Sequence, residues 1–109
     1  MIAFTPTGPL LSFTSASSAP TSVQATSVDG VRNTQIMLTN IDGTNNCVVG
    51  WGATDAEAKL NATAPVYTNK CYYILHSTQV VVTIPTGSYI TGIAVASTAV
   101  IKVQAGYGN

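Results

Sequence analysis

Thr78-Gln79-Val80-Val81-Val82-Thr83-Ile84 alternates with a period of two. Val80, Val82 and Ile84 fall on one face and Gln79, Val81 and Thr83 on the other, the pattern of a strand with one buried side. The same pattern recurs on both sides of it. Thr34-Gln35-Ile36-Met37-Leu38-Thr39 turns Ile36 and Leu38 inward, and Val100-Ile101-Lys102-Val103-Gln104 sets Ile101 and Val103 against Lys102 and Gln104. Burying each Val, Leu or Ile of these sets stabilises the fold by about 1.5–3 kcal/mol. A slip of one residue would expose every one of them, so the register is strongly specified.

Further strands follow from similar cues. Cys47-Val48-Val49-Gly50-Trp51 is one and Cys71-Tyr72-Tyr73-Ile74-Leu75-His76 another. The stretch 89–96 is a third, with Gly92 interrupting the alternation as a bulge or a close backbone approach does. The stretch 21–26 is weaker, and Leu10, Leu11, Ser12 and Phe13 read as a short edge strand. Turn chemistry separates these runs. Asp29-Gly30 and Asp42-Gly43 supply residues that tolerate positive φ, and Pro85-Thr86-Gly87-Ser88 reads as a hairpin connection. Only the stretch 54–61 is helical, with Thr54 as N-cap and Glu57 at the capping-box spacing, for one or two turns at most. The tally is about eight short strands with turn signals between them, which predicts an all-β antiparallel β-sandwich, jelly roll or small barrel.

The chain has 109 residues, enough for one domain spanning 1–109 with one core. Residues 1–20 and the Ser/Thr/Ala run that follows Phe13 are the least regular part, and read either as an extended N-terminal arm or as part of the sandwich. Four basic residues (Arg32, Lys59, Lys70, Lys102) balance four acidic ones (Asp29, Asp42, Asp55, Glu57), so the net charge is zero. Charged residues make up 7% of the chain, against roughly 25% in an ordinary soluble domain. Four scattered cations cannot neutralise a phosphate backbone, which argues against nucleic acid. No run approaches ~18 apolar residues, which argues against a membrane-spanning helix. Residues 1–20 lack Lys and Arg and are interrupted by Pro6, Gly8 and Pro9, so no export signal is expected. Without export, Cys47 and Cys71 are expected as buried thiols, and Asn61-Ala62-Thr63 as a chance match to a glycosylation acceptor.

The chemistry-bearing residues give little for catalysis. His76 is the sole histidine, and Ser77 beside it would point to the opposite face of a strand. Asp55 and Glu57 suit the first turn of a helix better than a glycosidase pair. Asp42-Gly43-Thr44-Asn45-Asn46 has one carboxylate, too few for calcium, and reads as an Asx-type turn. The chain is therefore expected not to be an enzyme and to hold no cofactor and no metal. Gly50-Trp51-Gly52 reads two ways: a ring packed on the sheet with glycines making room, or a binding platform. Of the adjacent Tyr72 and Tyr73, one faces in and the other could anchor an interface.

The low charge is the most informative feature. A neutral β domain lacks charged protection on its surface and edge strands, which favours permanent assembly with copies of itself or with a partner. Candidate interface residues are Trp51, Tyr72, Tyr73, Leu10, Leu11 and Phe13.

Three stretches also carry a resemblance. The first is Val49 to Leu60, a Val-Gly-Trp-Gly strand followed by a short acidic helix. The second is Val80 to Ala94, of the form Val-x-Val-x-Ile-Pro … Ser-Tyr-Ile-Thr-Gly-Ile-Ala. The third is Val100 to Gly108, ending Gly-Tyr-Gly. Over roughly the C-terminal two-thirds the chain resembles the small jelly-roll decoration, or cement, proteins of tailed bacteriophage capsids. That resemblance implies a structural virion protein, made in the host cytoplasm and placed on the capsid exterior. It would bind the major capsid protein, form a dimer or trimer and bridge neighbouring capsid subunits. The family has no site motif to carry over. Two other readings stand beside it: a carbohydrate- or receptor-binding sandwich such as a fibre head, and a tail or neck subunit. In the carbohydrate reading, Trp51 and a tyrosine would stack on a sugar while Asn45 or Asn46 bonds its hydroxyls.

Overall fold

The computed structural model describes residues 4–6, 8, 10–16, 18–24, 35–63, 70–84, 87–94 and 97–108. The alternating stretches become strands, and their apolar sets face one another across a single core. In chain order the elements are β1 (Phe4–Pro6), β2 (Leu11–Ser15), β3 (Val23–Gln24), β4 (Gln35–Asn40) and β5 (Cys47–Gly52). Then come α1 (Asp55–Thr63), β6 (Cys71–Ile74), β7 (Thr78–Thr83), β8 (Tyr89–Ala94) and β9 (Ala99–Gly108). One sheet runs β1-β9-β4-β7, with β2 sharing the β1 side of β9, and the second runs β3-β8-β5-β6. Every paired strand is antiparallel. The protein is an all-β antiparallel sandwich with one short helix.

The pairings nest. β5 pairs with β6, β4 with β7, β3 with β8 and β2 with β9. The chain is thus one long antiparallel ribbon, bent back on itself between β5 and β6 and then rolled into two sheets, which is the jelly-roll winding. This winding corrects the reading of 85–88 as a hairpin connection. β7 and β8 belong to different sheets, so the segment crosses the sandwich. Alternation reports which face of each strand is buried, and two strands facing one core from opposite sheets alternate just as a hairpin pair does. Pro85 and Thr86, like Asp29, Gly30 and Arg32, lie outside the described residues.

The core holds Phe13, Ile36, Leu38, Cys47, Val49, Ile74, Ile84, Ile90, Ile101 and Val103. Leu38 lies between Val80 of β7 and Val103 of β9, so three strands contribute one apolar row. The buried polar side chains Asn40 and Ser15 find partners in this interior, while the Trp51 indole N–H and the Gln35 side-chain oxygen are buried without one among the described residues. The Asn40 side-chain amide donates to the Asn45 carbonyl at 3.0 Å, and its oxygen accepts from the Asp42 N–H at 3.0 Å. Ser15 donates to the Ala99 carbonyl at 2.9 Å.

Of the residues left open between arm and sheet, 4–6 and 11–15 run along β9. β2 pairs from Leu11↔Val103 to Ser15↔Ala99, and β1 from Phe4↔Gly108 to Pro6↔Gly106. Gln104 donates to the Gly8 carbonyl at 3.2 Å in the gap between them. β9 is longer than its alternating centre suggested, and β6 shorter. β6 ends at Ile74, because the chain turns at His76 and Ser77 to enter the other sheet, with Ser77 at φ 54°. β3 covers two residues of the stretch 21–26, and β8 ends at Ala94.

α1 is nine residues long, about two and a half turns, beyond the one or two expected. The Thr54 hydroxyl accepts from the Glu57 N–H at 3.2 Å, which closes the N-terminal cap. The helix extends past Asn61 because Ala58, Asn61 and Ala62 are buried against the second sheet. Gly50 makes that docking possible. A Cβ there would sit 2.2 Å from the Ala62 nitrogen and 2.7 Å from the Ala58 oxygen. Gly92 plays the same part on the inner face, where a Cβ would meet Val48, Cys47 and Phe13. Of the two expectations for Gly92, the structure gives the close approach.

Candidate interface

The six candidate residues separate by the parity of their strands. Along β5, Cys47, Val49 and Trp51 point inward, while Val48, Gly50 and Gly52 point outward. Trp51 therefore packs against the core, and the glycines beside it make room for α1 rather than for the indole ring. The Lys70 ammonium lies 5.6 Å from the Trp51 ring centroid. Tyr72 also packs against the core, and its hydroxyl donates to the Thr83 carbonyl at 3.4 Å. Leu11 is partly buried against the core, and Phe13, at 6% exposure, is inside it. Leu10 and Tyr73 remain outside, at 62% and 55% exposure.

Tyr73 does not stand alone. The register Tyr73↔Val48↔Ile93 forms one cross-strand row over β6, β5 and β8. This row lies on the outer face of the second sheet, beside the part that α1 covers. Leu75, 52% exposed, follows β6 directly. The Asn46 amide donates to the Tyr73 hydroxyl at 3.1 Å, and the Asn46 oxygen accepts from the His76 N–H at 2.9 Å. The ring is thus held by the loop between β4 and β5. The period-two pattern of 71–76 puts Leu75 on the outward face with Tyr73, so alternation alone marks it as a surface residue beside the candidates chosen by type. Ile41 and Leu60 are exposed elsewhere.

That loop is built on Asp42. Its carboxylate accepts from the Thr44 N–H at 3.0 Å and the Asn45 N–H at 2.7 Å, the Asx-type turn expected from the sequence. These backbone donors hold its carboxyl below the usual carboxylate range. The Ser77 N–H and hydroxyl both donate to the Asp42 carbonyl, tying the β6–β7 turn to the β4–β5 loop. Asn45 donates to the Thr98 carbonyl at 2.7 Å and ties in the segment before β9. Loops from three connections are so joined at one end of the sandwich.

The remaining carboxylates have local work. Asp55 accepts from the Ser22 hydroxyl and N–H and lies 3.2 Å from Lys59. The Ser22 donors first, and Lys59 after them, pull its carboxyl down to about 2. Glu57 lies 3.1 Å from Lys70. Asn61 is buried in α1 and donates to the Trp51 carbonyl at 2.7 Å. Cys47 and Cys71 are not joined in a disulfide. Cys47 faces the core, where burial pushes its thiol up, and Cys71, opposite Gly50, faces outward. Among the described residues no three His, Cys, Asp or Glu side chains gather in a group that could hold a metal ion. No described helix is long and apolar enough to cross a membrane.

The geometry defines a jelly-roll sandwich whose second sheet carries on its outer face an apolar row of exposed Tyr73 and half-buried Val48 and Ile93. No family model matches the chain, and no curated protein matches it. Among solved structures it is similar to a protein of Bacillus endospore appendages, which form disulfide-linked pili. The identity is 9% and the TM-score 0.49, over 98% of this chain and 91% of that one. A likeness at that level carries no functional argument, and the fold stands on the strand pairing described above.

Proposed function

We propose that this chain is a structural protein, one unit of a larger protein assembly, and that the assembly is the exterior of an icosahedral phage capsid. The observation that carries this reading is the exposed pair Tyr73 and Leu75, with half-buried Val48 and Ile93 in one row with Tyr73, on a chain with 7% charged residues. Aromatic and aliphatic side chains in such a place supply contact area to a protein partner. Five of the charged side chains, Asp42, Asp55, Glu57, Lys59 and Lys70, are engaged in contacts within the chain. Little charge is left to keep copies or partners apart. The sequence resemblance to decoration proteins supplies the capsid as the partner, and many copies on one shell would multiply modest individual contacts. In this role the protein binds the major capsid protein as a dimer or trimer and bridges neighbouring subunits.

The carbohydrate reading draws no such support. Its stacking platform needed Trp51, which packs against the core. The neck or tail reading differs in copy number, hundreds per particle for decoration against about a dozen for a neck. The test is co-sedimentation of the purified chain with empty capsids of the same phage, at low and moderate salt. We expect binding that changes little with salt, because few charges take part. Absence of binding, or a steep loss of it with salt, overturns the reading.

A further inference from the structure

β7 closes one edge of the first sheet, with β4 as its neighbour from Thr78↔Asn40 to Thr83↔Gln35. Which of its backbone groups are used can be worked out from one bond. Ile41, directly after β4, donates its N–H to the Val100 carbonyl at 3.2 Å, on the β9 side. Backbone groups alternate sides along an antiparallel strand. Thr39, Met37 and Gln35 therefore also turn to β9, while Asn40, Leu38 and Ile36 turn to β7. Their partners Thr78, Val80 and Val82 take up the bonds to β4. Gln79, Val81 and Thr83 then present their N–H and C=O groups on the far side. A second contact agrees, since the Thr83 carbonyl accepts from the Tyr72 hydroxyl of the other sheet and keeps a second lone pair for a partner strand.

Edge strands are ordinarily protected by lysine, proline, a bulge or a covering segment. β7 is Thr-Gln-Val-Val-Val-Thr, with no charge and no proline, and its register to β4 skips no residue. Among the described residues no strand lies on its outer side.

We propose that β7 pairs with β7 of a second copy, antiparallel about Val81, so that the two first sheets become one. The strand reads nearly the same in both directions. With Val81 opposite its own counterpart, Gln79 meets Thr83 and Val80 meets Val82. The three residues with outward backbone groups then face only one another, so each such pair is of the hydrogen-bonded kind. Valine meets valine on the inner face, and no like charges stand opposite. A strand that is neutral throughout, on a chain of zero net charge, is complementary to itself. The contact is isologous and closes at two copies. The inference deepens the assembly reading and rests on it, taking the second copy as the first partner.

Val81→Pro tests it. That substitution removes an N–H that β4 does not use, and proline is tolerated on an edge strand in that orientation. Val81→Lys is the second variant, since it sets two lysines opposite each other on the axis. Sedimentation velocity over a wide concentration series should show the wild type moving from monomer to dimer. Both variants should raise the dimer dissociation constant at least tenfold, with circular dichroism unchanged. If Val81→Pro does not fold, Val81→Lys decides. A wild type that stays monomeric throughout overturns the proposal, as does a folded variant that still dimerises. Rings or ladders larger than two also overturn it, because they would mean that β7 meets a different edge. Capsid co-sedimentation in parallel separates the two readings. Dimers that do not bind capsids uphold the pairing and overturn the capsid role; a strictly monomeric chain that binds them does the reverse.

Discussion

The outer face of the second sheet has two halves that differ in what covers them. Under α1 the sheet presents Gly50 and Thr91, and the helix presents Ala58 and Ala62. Side chains there are small, and the backbones come into contact. One register step away the sheet presents Tyr73, Val48 and Ile93, of which Tyr73 is exposed and the other two half-buried. The same strands and the same alternation thus serve one half that is closed within the chain and one that is open. Small residues allow a helix to dock, while large apolar ones left open offer area to another molecule.

Substitutions at five positions and one titration bear on this contrast. Gly50→Leu should have the largest effect, destabilising by about 3 kcal/mol, because its new atoms meet helix backbone rather than a flexible side chain. A denaturant melt showing a change below about 1 kcal/mol would mean that α1 is not seated where Gly50 places it. Asn61→Ala leaves the Trp51 carbonyl without its 2.7 Å donor and should cost about 1–3 kcal/mol in the same melt. Thr54→Ala removes the cap of α1 and should cost about 1 kcal/mol, with Thr54→Asp close to wild type.

The titration concerns Asp55, which fastens Ser22 to the first turn of α1. Its carboxyl is lowered from 3.8 to about 2 in the folded chain. The unfolded chain therefore binds the proton more readily. The stabilisation is complete above the unfolded value and is lost as pH falls from near 4 toward 2. Urea midpoints should drop over that window, and Asp55→Asn should flatten the drop; an unchanged slope would remove Asp55 from the account. The smallest effect on stability belongs to the open half. Tyr73→Ser should shift the melt by no more than about 0.5 kcal/mol, while reducing capsid co-sedimentation. A large loss of stability instead would show that Tyr73 serves the fold.

Much of the buried side of each strand was legible in the sequence. Ile36, Leu38, Val80, Val82, Ile101 and Val103 all point where alternation puts them. The cap at Thr54 and the turn at Asp42 were legible too, because both depend on bonds within a few residues. Which of the candidate interface residues stand outside was less so. Trp51, Tyr72 and Phe13 were chosen for residue type, and type does not say on which face of a strand a ring stands once the neighbouring glycines are claimed by a helix. Leu75 stands two residues after Tyr73, so the same alternation places it outside.

What the order of residues settled is the parity of each strand and the chemistry of each short turn, since side chains alternate along any extended backbone whatever lies beside it. Partnership was settled only in three dimensions. β2 finds β9 and β3 finds β8 across most of the chain's length, and β7 and β8, neighbours in sequence, part into opposite sheets. Those choices depend on how all the apolar faces can be buried at once, which no single stretch encodes. They decide which residues are left outside and which edge is left open.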